Sequence, residues 1–178
     1  MYRGSGTDHP LSALGWEQMK KRVTNHPDSG KWSCIVSSPM QRCRAFAEKL
    51  AKEQGIALEI VENFKEAGYG VWEGKTPAQL KQEFARAYWD FYADPVNNRP
   101  AGAEPLNTFV ERIEKALEGI LERHQGQHIL LVSHSGVMRA IVGITLNMPL
   151  ASQQQINIPY AGMLYLLEEK RGRRIGFY

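Results

Sequence analysis

The 178-residue sequence predicts an α/β fold, a three-layer sandwich of a mostly parallel sheet with helices on both faces. Three observations carry this. Short apolar runs bounded by turn residues alternate with longer segments whose apolar residues recur at helical spacing. Two of the runs, Trp32 to Val36 and Leu130 to Val132, lead straight into helix starts, as parallel strands do. No repeat or linker divides the chain, so residues 1–178 are expected to form a single domain.

The elements follow in order. Gly4 to Leu11 reads as a loop and Ser12 to Val23 as a helix, with Trp16, Met19 and Val23 on one face. After the turn residues Asn25 to Gly30, Trp32 to Ser37 reads as a strand. Pro39 to Gln54 is a helix, with Ser38 as its cap, Pro39 in its first turn and Gly55 closing it. Leu58 to Val61 is a short strand. Thr76-Pro77-Ala78-Gln79 is a capping box that opens a helix running to about Tyr92. A Pro/Asn/Gly loop from Asp94 to Pro105 precedes the clearest helix, Asn107 to His124, with Phe109, Ile113, Leu117 and Ile120 in register. His128 to Ser133 is a strand and Gly136 to Leu146 a helix. Met163 to Glu168 and Arg173 to Tyr178 are strands joined through Arg171-Gly172.

Composition excludes several classes. Apolar residues at 43% and aromatics at 10% are those of a globular domain. A net charge of +3 with interspersed acids and bases gives no case for nucleic acid, and it suits an anionic small molecule. No signal peptide or 18-residue apolar run is present, so membrane spanning and export are not indicated. Two cysteines, Cys34 and Cys43, read as free thiols of a reducing cytosol, so a cytoplasmic location is expected.

Three segments carry chemistry. Leu130-Leu131-Val132-Ser133-His134-Ser135-Gly136 is a strand ending in a His and running into a helix. That arrangement puts His134 in the crevice at the carboxyl edge of the sheet, where the free N–H groups of a helix start attract anions. An imidazole there can hold a phosphoryl oxygen or exchange a proton near neutral pH. Ser37-Ser38-Pro39-Met40-Gln41-Arg42-Cys43 presents Arg42, a bidentate phosphate ligand by geometry, near a second helix start. Phe64-Lys65-Glu66-Ala67-Gly68-Tyr69-Gly70-Val71-Trp72-Glu73-Gly74 places the carboxyl of Glu66 just past a third strand. Taken singly, these residues read as a structural histidine, an exposed helix charge and a surface carboxylate. Together they make an anion clamp, an imidazole and an acid at neighbouring strand ends. Nothing in the sequence has the spacing of a metal-ligand cluster.

The same segments resemble the histidine phosphatase superfamily, the phosphoglycerate mutase-like fold. Ser-Ser-Pro-x-x-Arg resembles the family's phosphate-binding motif at Arg42. The glycine-punctuated segment resembles the motif of its general acid at Glu66, and Val-Ser-His-Ser-Gly that of its second active-site histidine at His134. More loosely, Gly4-Ser5-Gly6-Thr7-Asp8-His9-Pro10-Leu11 resembles the family's opening substrate loop, which makes Gly4, Ser5 and Gly6 candidate substrate-binding residues. The resemblance implies a phosphorylated small-molecule substrate, a phosphohistidine intermediate and no cofactor or metal. Arginine and imidazolium supply the positive charge instead.

One family element has no match. The Arg-His-Gly triplet that ends the first strand, and whose His is the nucleophile, does not occur; Arg123-His124-Gln125-Gly126 reads instead as a solvated helix end. The resemblance therefore implies a domain lacking its first strand, an N-terminally truncated and inactive chain, with a catalytically dead phospho-ligand sensor or partner-binding domain as the alternative. The compact segment from Tyr88 to Glu104 has a spacing from Trp72 similar to that of alpha-ribazole phosphatases. It implies alpha-ribazole 5'-phosphate as substrate, with a broad-specificity phosphatase or a mutase-like enzyme as alternatives. The aromatic cluster Tyr88, Trp89, Phe91 and Tyr92 reads as core or as a lid over an apolar part of that substrate.

Overall fold

A computed structural model describes residues 1–178. Its centre is a parallel sheet of three strands, β1 (Cys34–Ser37), β2 (Ala57–Ile60) and β3 (Ile129–Val132), in the order β2-β1-β3. Register is regular: Cys34 pairs with Ala57 and Ile129, and Ser37 with Ile60 and Val132. A separate antiparallel hairpin joins β4 (Leu164–Glu169) to β5 (Gly172–Phe177). Six helices surround these strands: α1 (Ala13–Thr24), α2 (Gln41–Gln54), α3 (Pro77–Glu83), α4 (Ala85–Ala93), α5 (Leu106–Arg123) and α6 (Ser135–Thr145).

Strand alternation decides what each face buries. On β1, Ile35 points into one core with Val23 of α1, Phe46, Ala47 and Leu50 of α2, and Leu130 and Val132 of β3. Val36 points the opposite way, into a second core with Phe109, Ile113, Leu117 and Ile120 of α5 and Val137, Ala140 and Ile141 of α6. Two faces, each closed by a helix pair, give the expected three layers, and a strand buried on both faces explains the unbroken apolar run in β1. Each fully buried aliphatic side chain here is worth roughly 1.5–3 kcal/mol of transfer energy. A third, smaller cluster of Trp72, Leu80, Tyr88 and Phe91 packs the segment between β2 and α5.

Local chemistry sets several boundaries. Thr76 forms the expected capping box with Gln79, and Pro77 sits in the first turn of α3. Gly55 closes α2 in the left-handed region, φ 65°. The single helix expected from Thr76 to Tyr92 is in fact two. Phe84, at φ −133°, ends α3 and starts α4, letting Leu80 and Phe91 both reach the third cluster. The start of α2 also departs from expectation. Ser38 does not cap the helix and Pro39 is not in its first turn; α2 begins at Gln41 after Met40, which makes no side-chain cap. Ser38 is fully buried; its hydroxyl lies 2.7 Å from His134 Nε2 and accepts from Met40 N–H at 3.3 Å. Short 3-10 turns at Glu62–Phe64, Gly70–Trp72 and Leu150–Gln155 carry no sequence periodicity and were not expected.

Candidate active site

Because β1, β2 and β3 are parallel, their carboxyl ends lie on one edge, and each is followed by one of the three chemical segments. Arg42 lies in the first turn of α2 after β1, Glu66 follows β2 through the Glu62–Phe64 turn, and His134 is the N-cap of α6 after β3. All three line one cavity of about 2120 Å³.

Glu66 is 9% exposed. Its carboxyl accepts from Ala67 N–H at 3.0 Å and from Gly136 N–H, in the first turn of α6, at 3.1 Å. Burial raises its pKa. The two N–H donors and then Arg42 and Arg139 oppose that rise. The acid is thus pointed at a helix N-terminus, yet held by desolvation toward the protonated form a proton donor needs.

His134 is buried as well. Its Nε2 lies 2.7 Å from Ser38 Oγ, and Cys43 Sγ lies 3.6 Å from its Nδ1. Burial, then the charges of Arg42 and Arg112, push its pKa down to about 3, so the resting imidazole is neutral. Burial pushes the Cys43 thiol up to about 12, and the thiol donates to Ser133 O at 3.2 Å. A protonated thiol of that kind is an inert neighbour.

The guanidinium of Arg42 donates to Gly4 O at 2.9 Å and Thr7 O at 3.3 Å. The candidate substrate loop is therefore wrapped on the candidate clamp. Within that loop Gly4 lines the cavity, whereas Ser5 packs beside Gly68 and Gly6 against Glu73. Glu73 accepts from Thr7 Oγ1 at 3.1 Å and Tyr69 N–H at 2.9 Å, which fixes the loop from below. A side chain at Gly4 (φ 57°) would collide with the Glu73 carboxylate. Arg123 and His124 are not simply solvated: both pair with Glu59 of β2.

Sequence reasoning missed the brace behind the acid. Arg112 of α5 and Arg99 hold the backbone on either side of Glu66, together with Glu104. Its only trace in the sequence is an arginine beside the apolar stripe of α5. No group of three or more metal-type ligands is present, and no helix is long and apolar enough to cross a membrane.

The same cavity extends away from these residues along the sheet. Every residue of β3 and of β4 lines it, yet β3 is hydrogen-bonded only to β1 and β4 only to β5. Its walls come from both cores, with Val23 and Phe46 on one side and Ile120 and Val137 on the other.

Known proteins resemble this chain over most of its length. The adenosylcobalamin/alpha-ribazole phosphatase of Escherichia coli (strain K12) is 28% identical over 141 residues, 79% of this chain and 68% of that protein. A bifunctional protein of Mycobacterium tuberculosis is 26% identical over 148 residues, which is 82% of this chain and 40% of its own length. The crystal structure of the alpha-ribazole phosphatase from Shigella flexneri superposes with a TM-score of 0.84 at 23% identity, covering 99% of this chain and 87% of that one. The native structure of a mycobacterial glucosyl-3-phosphoglycerate phosphatase gives 0.84 at 21% identity, with 99% and 90% covered. These likenesses share the α/β sandwich with its parallel sheet. The profile of the histidine phosphatase superfamily (branch 1) matches residues 2–177, and the chain belongs to that superfamily.

Proposed function

We propose that this domain is the phosphate-binding and proton-donating part of a phosphomonoester hydrolase, with alpha-ribazole 5'-phosphate as the substrate. The single observation that carries the reading is that a buried acid, a buried neutral imidazole and an arginine all line one cavity. The names of the E. coli and S. flexneri relatives support the choice of substrate. The reaction uses Arg42 and His134 to hold the non-bridging phosphoryl oxygens, where charge gathers during transfer. A histidine attacks phosphorus in line, and the bond from phosphorus to the leaving oxygen breaks. Glu66 gives its proton to that oxygen. Water then attacks the phosphohistidine, Glu66 takes the water proton, and inorganic phosphate leaves.

The attacking histidine is not among residues 1–178, so the chain alone is inactive in this reading. In this reading His134 is no substitute, since an imidazole that holds a non-bridging oxygen would face phosphorus from the side rather than in line with the leaving oxygen. We place the nucleophile on a strand between β3 and β4, in the single domain that this strand completes. The unpaired strand edges on either side of the cavity and its two apolar walls support that placement. Both cysteines are free and buried, which supports a cytoplasmic location. The test is turnover by a form extended ahead of Met1 with an apolar strand ending Arg-His-Gly. Alpha-ribazole 5'-phosphate, glucosyl-3-phosphoglycerate and p-nitrophenyl phosphate are compared. A kcat/KM highest for alpha-ribazole 5'-phosphate is expected, equal values would make the enzyme broad in specificity, and no turnover would favour a phospho-ligand sensor.

A further inference from the structure

Arg112 stands outside the cavity edge that carries Arg42, yet it is the most fully engaged side chain near the site. It projects from α5, the longest helix, whose apolar face anchors the larger core. An arginine has five N–H donors in a fixed planar fork, and here all are used. Nε donates to Glu104 Oε1 at 2.7 Å and one Nη2 N–H to Glu104 Oε2 at 2.9 Å. The other Nη2 N–H donates to Glu66 O at 3.1 Å, and Nη1 donates to Lys65 O at 2.9 Å and to Asn63 O. The three carbonyls belong to the turn that ends in Glu66. Glu104 reaches the other flank, since its Oε2 accepts from Gly68 N–H at 3.3 Å and its backbone N–H donates to Gly68 O at 3.1 Å. Arg99 repeats the pattern, donating to Gly68 O and Glu104 O at 2.9 Å each.

We propose that Arg112, locked to Glu104, is a positioning residue that fixes the backbone on both sides of Glu66 and so sets where its carboxyl points. The proposal rests on the reading of Glu66 as the proton donor. The need for an exact aim is visible in the site. The carboxyl fits between Ala67 N–H and Gly136 N–H, and the Gly136 position leaves it no lateral room. Were the turn loose, the carboxyl would swing out of this niche, gain water and lose both donors. Lysine cannot replace arginine here, because an ammonium has three donors and no planar fork to span three carbonyls and a carboxylate.

The experiment follows the Glu66 carboxyl by carbon-detected NMR across pH, together with the Ala67 and Gly136 amide signals. It uses the 178-residue chain and its Arg112→Lys, Arg112→Met and Glu104→Gln variants. The charged and titratable groups facing Glu66 are Arg42 and Cys43 of α2, Arg139 of α6, Tyr69 and Arg99. His134, beside Arg42 and Arg112, joins them. None of these is altered. In the parent, burial is expected to hold the Glu66 midpoint above its ordinary value. In the arginine variants its midpoint is expected to fall toward that value, with both amide signals losing their hydrogen-bonded shifts and Lys giving no rescue. If those variants do not fold, Glu104→Gln, close in size, is expected to move the same signals in the same direction. Folded variants with lower thermal stability but unchanged Glu66 titration and amide signals would overturn the proposal and leave the brace merely structural. Because nothing here reads turnover, failure of the proton-donor role would show separately, as hydrolysis that survives Glu66→Gln in the strand-extended form.

Discussion

Gly136 and Glu66 are matched to one another: the Gly136 N–H donates to Glu66 Oε2 at 3.1 Å, and a Cβ at position 136 would sit 2.1 Å from Glu66 Oε1. The helix start that receives the acid leaves no space for any side chain. Gly136→Ala is therefore expected to push Glu66 out of its niche, despite alanine's better helix propensity. The expected cost is roughly 1–3 kcal/mol of stability, the range for overpacking a tight site. Urea unfolding of the two proteins checks it, and a stabilised variant would show that the contact is slack.

Arg42→Ala is expected to weaken phosphate binding by about tenfold to a hundredfold, which corresponds to the roughly 1.5–3 kcal/mol of a hydrogen bond to a charged group. Calorimetric titration with inorganic phosphate measures this. Unchanged affinity would remove Arg42 from the site and leave it as a staple for the Gly4 and Thr7 carbonyls.

Phosphate binding near neutral pH is expected to take up a proton. Resting His134 is neutral, and an anion against it favours the imidazolium. Binding heats for sulfate, an anion with no proton to exchange near neutral pH, measured in buffers of different ionisation enthalpy, should differ for the parent and differ less for His134→Asn. Equal heats for the parent would contradict an anion at His134.

The pH dependence of stability has two opposed contributions. His134 has a folded pKa of about 3 against 6.5 when exposed, so the unfolded chain binds a proton that the folded chain does not. Its effect is a loss of stability as pH falls from 6.5 toward 3, at up to about 1.4 kcal/mol per pH unit for one proton. Glu66 acts in reverse. Its folded pKa is raised above 4.5, so its contribution is present below 4.5 and is lost as pH rises through the folded value. Denaturant melts across this range should show His134→Asn flattening the acid limb and Glu66→Gln removing the upper decline.

Ser38→Ala strips His134 of its 2.7 Å partner in a fully buried setting. A loss of roughly 1–3 kcal/mol is expected, the penalty of an unsatisfied buried polar group. Thermal unfolding measures it, and a neutral result would show that Cys43 or the backbone satisfies the ring in its place.

What the sequence revealed depended on how local the cause was. The ends of β1 and β3 and the helices after them follow from apolar runs and turn residues, and they placed Arg42 and His134 on one edge without coordinates. Gly55 and the Thr76 box marked helix ends because capping is a short-range interaction. At Ser38 the helix starts later than local propensity suggests: its hydroxyl bonds Met40 N–H, just ahead of α2, and also reaches His134, 96 positions away, a contact no local window contains. Phe84, at φ −133°, interrupts the helix between Leu80 and Phe91, two members of one cluster. The Arg112–Glu104 brace and the cavity edges of β3 and β4 are products of topology, which no window of sequence contains.

The central claim is that residues 1–178 hold a phosphate-binding and acid half-site completed by a strand between β3 and β4. Hydrolysis of p-nitrophenyl phosphate in the presence of chelator, by the chain alone and by the form extended with a strand ending Arg-His-Gly, tests it most directly. The account expects no useful turnover from residues 1–178, chelator-resistant turnover from the extended form, and an acid-labile phosphoenzyme trapped only from the latter. Strong turnover by residues 1–178 alone would contradict it, because the nucleophile would then lie among the residues already present.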